Sequence, residues 1–216
     1  MGKPAATDRL LLQPLHHSFT LDSVVGFEHK ADAERFLAEL RKRSEAFSLS
    51  VHPEKTRIIR FGRFAAGDRK ERGQGKPETF NFLGFTMICG QNRRGGFQVL
   101  RKSRRDRLQA TIQRVKGELQ RRRHQPIPAQ GKWLEQVVRG FYAYHAVPTN
   151  YQALVVFRVR IAQLWKRALM RRSQRGRPTW QRMTKLTDTW LPRPRILHPW
   201  PERRFDVKHP RWEPCA

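Results

Sequence analysis

The stretch that decides the fold runs from Phe97 to Asn150, FQVLRKSRRDRLQATIQRVKGELQRRRHQPIPAQGKWLEQVVRGFYAYHAVPTN. Leu108, Ile112, Val115 and Leu119 follow one another at helical intervals and draw a single apolar stripe. Around that stripe stand Arg101, Lys102, Arg104, Arg105, Arg107, Arg114, Lys116, Arg121, Arg122 and Arg123. The second half repeats the helical pattern with Trp133, Val137, Phe141 and Tyr144. An amphipathic helix this loaded with guanidinium points to a partner rich in phosphate.

The whole chain carries the same bias. Its 216 residues hold 45 Lys and Arg against 18 Asp and Glu, a formal charge of +27. A globular protein so charged repels itself unless a polyanion is near, and nucleic acid binds through counterion release at each phosphate contact. Arg is much the commoner cation here, and its planar fork suits phosphate and base stacking. Anionic membrane is the rival surface, but no apolar run is long enough to span one and no signal-peptide pattern opens the chain. Cys89 and Cys215, the two cysteines, form no CxxC pair. That argues against a disulfide framework or zinc site and makes the reducing cytoplasm the expected compartment.

Outward from the central stretch, the upstream half reads as short strands with one helix. Phe19 to Phe27 is expected as a strand pair turning at Asp22 and Ser23. Ala31 to Phe47 is expected as a helix with Ala33, Phe36, Leu37, Leu40, Ser44 and Phe47 on one face. Leu49 to Val51 and Arg57 to Phe61 are further strand candidates, Gly62 to Glu78 a polar loop, and Thr79 to Cys89 and Phe97 to Leu100 strands. Downstream come helices from near Lys102 to before Pro126, from about Gly131 to Ala146, from Asn150 to Arg172, and a small one over Thr179 to Leu186. A second basic patch, Lys166, Arg167, Arg171 and Arg172, falls at the end of the third of these. Tyr142 lies off the apolar stripe of its helix, so it is expected to face outward as a base-stacking platform. The fold class is therefore α+β: a strand-rich unit followed by an all-α bundle. The units divide at 1–18 (an unassigned arm), 19–100, 101–175 and a Pro- and Trp-rich tail over 176–216.

Five segments, in this order, resemble group II intron reverse transcriptases: Phe19 to Phe27 with its following helix, His52-Pro53-Glu54-Lys55-Thr56, Phe80-Asn81-Phe82-Leu83-Gly84-Phe85, Arg139 to Asn150, and the tail motifs Arg195 to Pro201 and His209 to Trp212. The resemblance covers residues 19–216. It implies a partial palm over 19–100, a thumb-like maturase helical domain over 101–175, and a structured intron RNA as partner. DNA is a second polyanion that the same cations admit.

The departures matter as much. The family tip reads Tyr-Ala-Asp-Asp; here Phe19, Thr20 and Leu21 stand at its first three positions and Asp22 alone keeps its carboxylate. Two-metal phosphoryl transfer needs paired carboxylates to hold Mg²⁺, the cofactor of the intact family, and leucine ligates no cation. Asp22 is thus expected as a remnant, and no cofactor is expected for this chain. By the same resemblance the fingers and first palm strand would lie upstream of residue 1 and are expected to be missing; an upstream reverse-transcriptase fragment supplies them on the split-polymerase alternative. The reading that follows is an RNA-binding, maturase-type fragment. A piece of a split RNA-directed DNA polymerase and a decayed relic are the alternatives.

Overall fold

The structure is a computed structural model that describes residues 23–53, 56–172, 178–201 and 203. Among the described residues, six helices and a three-stranded antiparallel sheet follow one another as α1 (Lys30–Ala46), α2 (Ala65–Glu71), β1 (Phe80–Phe82), β2 (Phe85–Gln91), β3 (Phe97–Ser103), α3 (Arg105–Arg121), α4 (Ile127–His145), α5 (Tyr151–Met170) and α6 (Trp180–Trp190). The chain is α+β, with the core in its helical half. Ile112, Val115 and Leu119 of α3, Leu134 and Val138 of α4, Phe157, Ile161 and Trp165 of α5, and Met183 of α6 form one buried cluster.

The sheet is a meander, β1-β2-β3. Phe82 pairs with Phe85 across a turn whose two central residues, Leu83 and Gly84, have φ of 44° and 75°. Two left-handed residues in a row give the turn that matches strand twist; Gly84 takes this conformation freely, Leu83 only under constraint. Asn92 closes the opposite turn, its Oδ1 accepting from the Arg94 and Gly96 amides. β3 continues to Ser103, past the division expected after residue 100, because its pairing with β2 runs on to Phe85.

The helical bundle follows its apolar pattern. α4 starts at Ile127, earlier than the expected Gly131: Pro128 sits in its first turn, where a missing N–H costs nothing. Gln130, fully buried, joins three helices. Its Nε2 donates to the carbonyls of Arg122, Arg123 and Gln125 beyond the end of α3, and its Oε1 accepts from Trp165 Nε1 at 2.9 Å. Gly131 lets α4 approach the Trp190 ring, which a Cβ there would meet at 2.5 Å. Arg158 of α5 donates to Thr187 O, Leu191 O and Asp188, tying α6 to the bundle. The segment after α6 returns along α4, where the Leu197 and His198 amides donate to Ala146 O.

The upstream half departs from the expected strands. Residues 23–27, 49–51 and 57–61 form no strand, and 65–71, expected as loop, is α2. Residues 19–22 and 54–55 lie outside the described residues. β composition alone did not produce strands there because no described neighbour offers a ladder; the three strands that form are successive and close on tight turns. α1 lies where expected but buries no residue, and Phe36, Leu40 and Phe47 stay exposed.

Candidate nucleic-acid interface

Two residues fasten the sheet to the bundle. Thr149, at φ 74°, stands beside β3 like a short strand: its Oγ1 accepts from the Arg101 amide at 2.9 Å and donates to Arg101 O at 3.3 Å. Asn150, fully buried, continues the mimicry. Its Oδ1 accepts from the Ser103 amide, and its Nδ2 donates to Ser103 Oγ and His145 O. His145 Nδ1 lies 2.9 Å from Ser103 Oγ, and its ring stacks on Phe141. Burial among these groups pushes the His145 pKa down, favouring the neutral ring.

This joint sets the β1–β2 turn against the end of α4 and the first half of α3. Tyr144 Oη donates to Leu83 O at 2.6 Å, holding the carbonyl of the constrained turn residue. One face of the Tyr144 ring stacks on Phe85 with centroids 5.6 Å apart, yet half of the residue remains exposed. Between the turn and α3 opens a cleft of about 640 Å³, walled by Leu83 and Gly84 on one side, Arg104, Arg107 and Arg114 on the other, and Tyr144. That volume lies in the range of small-ligand sites, roughly 300–1,000 Å³.

The expected basic residues do not form one surface. Arg107, Arg114 and Arg121 recur every seven residues, so each lies about 20° from the last around α3, on one flank. Arg105 and Lys116 lie on the opposite flank, with Arg105 bordering a second recess of about 550 Å³ beside Asn81, Thr86 and Gln109. Arg107, Arg114, Arg105 and Lys116 are exposed and meet no carboxylate among the described residues. Arg104 forks onto Asp106 at 2.6 and 3.1 Å and holds that carboxyl below its ordinary range. Arg121 pairs with Glu118 at 2.6 Å, and Arg122 lies over the Trp133 ring at 5.0 Å. Arg123 is half-buried beside them. On β3, Arg101 is half-buried, which lowers its pKa, and Lys102 Nζ donates to Thr149 O.

The patch at the end of α5 is only partly engaged. Lys166 lies 3.9 Å from the Trp180 centroid, and Arg172 donates to Gln125 O and His124 O, yet Arg172 is exposed, as are Arg167 and Arg171. Asp22 lies outside the described residues.

Tyr142 corrects the expectation placed on it. It is 3% exposed, its hydroxyl donates toward Pro192 O, and burial pushes its pKa to about 12. It belongs to the core, and Tyr144 takes the outward position. The buried line of α4 is Leu134, Val138, Phe141 and Tyr142; of the expected stripe Phe141 lies in it, Trp133 and Val137 pack half-buried against it, and Tyr144 is exposed. Gly131 and Gln130 extend the buried line, while the exposed Gly140 lies beside the Trp133–Tyr144 line.

Among the described residues no group of His, Cys, Asp and Glu is gathered that holds a metal ion, and no helix is long and apolar enough to cross a membrane. No family model matches the chain, and neither a curated protein nor a solved structure matches it.

Proposed function

We propose that this chain binds structured RNA as a maturase-type fragment of a group II intron reverse transcriptase, helping an intron fold for splicing without polymerase chemistry of its own. On this reading β1–β3 with α1 represent the end of a palm, α3–α6 a thumb and maturase domain, and the cytoplasm is the place of action. The observation that carries it is local. Arg107 and Arg114, exposed and without carboxylate partners among the described residues, line one cleft with a fixed, half-exposed tyrosine. Cations that track a backbone beside an aromatic platform are the parts that RNA binding uses, and the net charge of +27 favours a polyanion at long range. The family assignment itself rests on the five ordered sequence resemblances.

Filter binding to a folded group II intron RNA and to an arbitrary RNA of equal length tests this. Preference for the intron by about tenfold or more, about 1.4 kcal/mol, is expected. Equal affinity for the two would remove the maturase reading.

A further inference from the structure

Resting on that RNA reading, we infer that the cleft between the β1–β2 turn and α3 takes one unpaired nucleotide, its base on the free face of Tyr144 and its phosphate on Arg107 and Arg114. Three features of the cleft select this ligand class. The first is that the Tyr144 ring is preset. Its hydroxyl is held by Leu83 O, and its inner face is covered by Phe85. Tyr144 borders the cleft, Phe85 does not, and half of Tyr144 is exposed, so on this inference the base takes the face opposite Phe85, beside the His145 ring that packs edge-on against Tyr144 at 5.0 Å. A flat, fixed apolar surface open on one side gains stacking energy with little loss of side-chain freedom.

The second feature is charge placement. Arg107 and Arg114 stand two helical turns apart, about 10 Å along α3, on the wall facing the ring. Arg104 also borders the cleft but is committed to Asp106, so the two other guanidinium groups are the phosphate partners. The third is shape. A cleft of about 640 Å³ walled by a tight turn accommodates a single base and sugar. A base within a duplex keeps both faces covered by its neighbours and cannot also lie on Tyr144. The site therefore favours single strands, loops and bulges over helices.

The test uses the full chain and an RNA of about a dozen nucleotides carrying 5-iodouridine, offered single-stranded and annealed to its complement. Long-wavelength irradiation of the single-strand complex is expected to cross-link Tyr144, located by mass spectrometry of the digested adduct. Tyr144→Ala is expected to weaken single-strand affinity by roughly 5- to 100-fold and to leave duplex affinity within about twofold. Tyr144→Phe, which keeps the ring and its Phe85 contact but loses the bond to Leu83 O, should lose less single-strand affinity than Tyr144→Ala, and Arg107→Gln should weaken both RNAs. A cross-link that maps elsewhere, or equal losses for both RNAs in Tyr144→Ala, overturns the inference. A DNA strand of the same sequence separates the sources of the contact: stacking predicts the same Tyr144→Ala factor for both strands, and an effect confined to RNA overturns it in favour of a sugar contact. If the wild-type chain selects intron RNA while Tyr144→Ala changes nothing, this inference fails alone. If the wild type shows no intron preference, the parent reading fails first.

Discussion

Replacing Asn150 by alanine removes one half of the joint between the sheet and the bundle, leaving the Thr149 bonds to Arg101 in place. The side chain is fully buried and makes three hydrogen bonds of 2.8–2.9 Å, to the Ser103 amide, Ser103 Oγ and His145 O. Alanine leaves the Ser103 N–H and the His145 carbonyl without that partner in a site that the side chain itself sealed. Each orphaned group costs about 1–3 kcal/mol, so the substitution is expected to cost about 3–4 kcal/mol in all. Against a total stability of about 5–15 kcal/mol that is a large share. For a chain of this length it lowers the melting temperature by roughly 10 °C. Urea unfolding followed by helical circular dichroism measures it directly. The cycle with Ser103→Ala isolates the pair, and a coupling of about 1 kcal/mol or more is expected because the two side chains bond each other. A loss under about 1 kcal/mol for Asn150→Ala, or additivity in the cycle, would refute this account of how the cleft is held together.

Two glycines of α4 should respond oppositely to alanine. Gly131→Ala drives a methyl into the Trp190 ring and should destabilise by about 1–3 kcal/mol, whereas Gly140→Ala meets nothing within 4 Å and should stabilise by up to about 1 kcal/mol in thermal melts. His145 gives a pH dependence. Its folded pKa lies below the unfolded value of about 6.5, so its contribution is complete above that pH and is lost as pH falls towards the folded pKa. Stability from urea unfolding should drop as pH falls below about 6.5, and His145→Gln should flatten that drop.

The helical half was legible because its signal is periodic and long. Leu108, Ile112, Val115 and Leu119 lie on the inner face of α3 as their spacing requires, with Leu108 at its margin. In α4 the apolar residues are too many for one stripe, and Trp133, Val137 and Tyr144 compete with Leu134, Val138 and Tyr142 for the inward side. Contact with α5 and α6 decides between them, through Phe157 stacked on Phe141 and Trp190 against Gly131. Neither partner is visible in the local pattern. The same holds for the candidate site. Arg107 and Arg114 were singled out by charge, but the cleft beside them depends on Thr149 and Asn150 reaching β3, some 47 residues away in the chain. The short upstream segments carried only composition, and β-formers without a neighbouring strand stayed irregular.

The most direct measurement of the central claim is a salt titration of binding to folded group II intron RNA beside a length-matched control, in the wild type and in Arg107→Gln/Arg114→Gln. The lost phosphate contact on a single-stranded segment should lower the slope of log affinity against log salt by about 0.7. The intron preference of the wild type, about tenfold or more, should persist at high salt, where contacts made by charge alone have been screened. Affinities that fall together for both RNAs, with a slope untouched by the double substitution, would contradict the account.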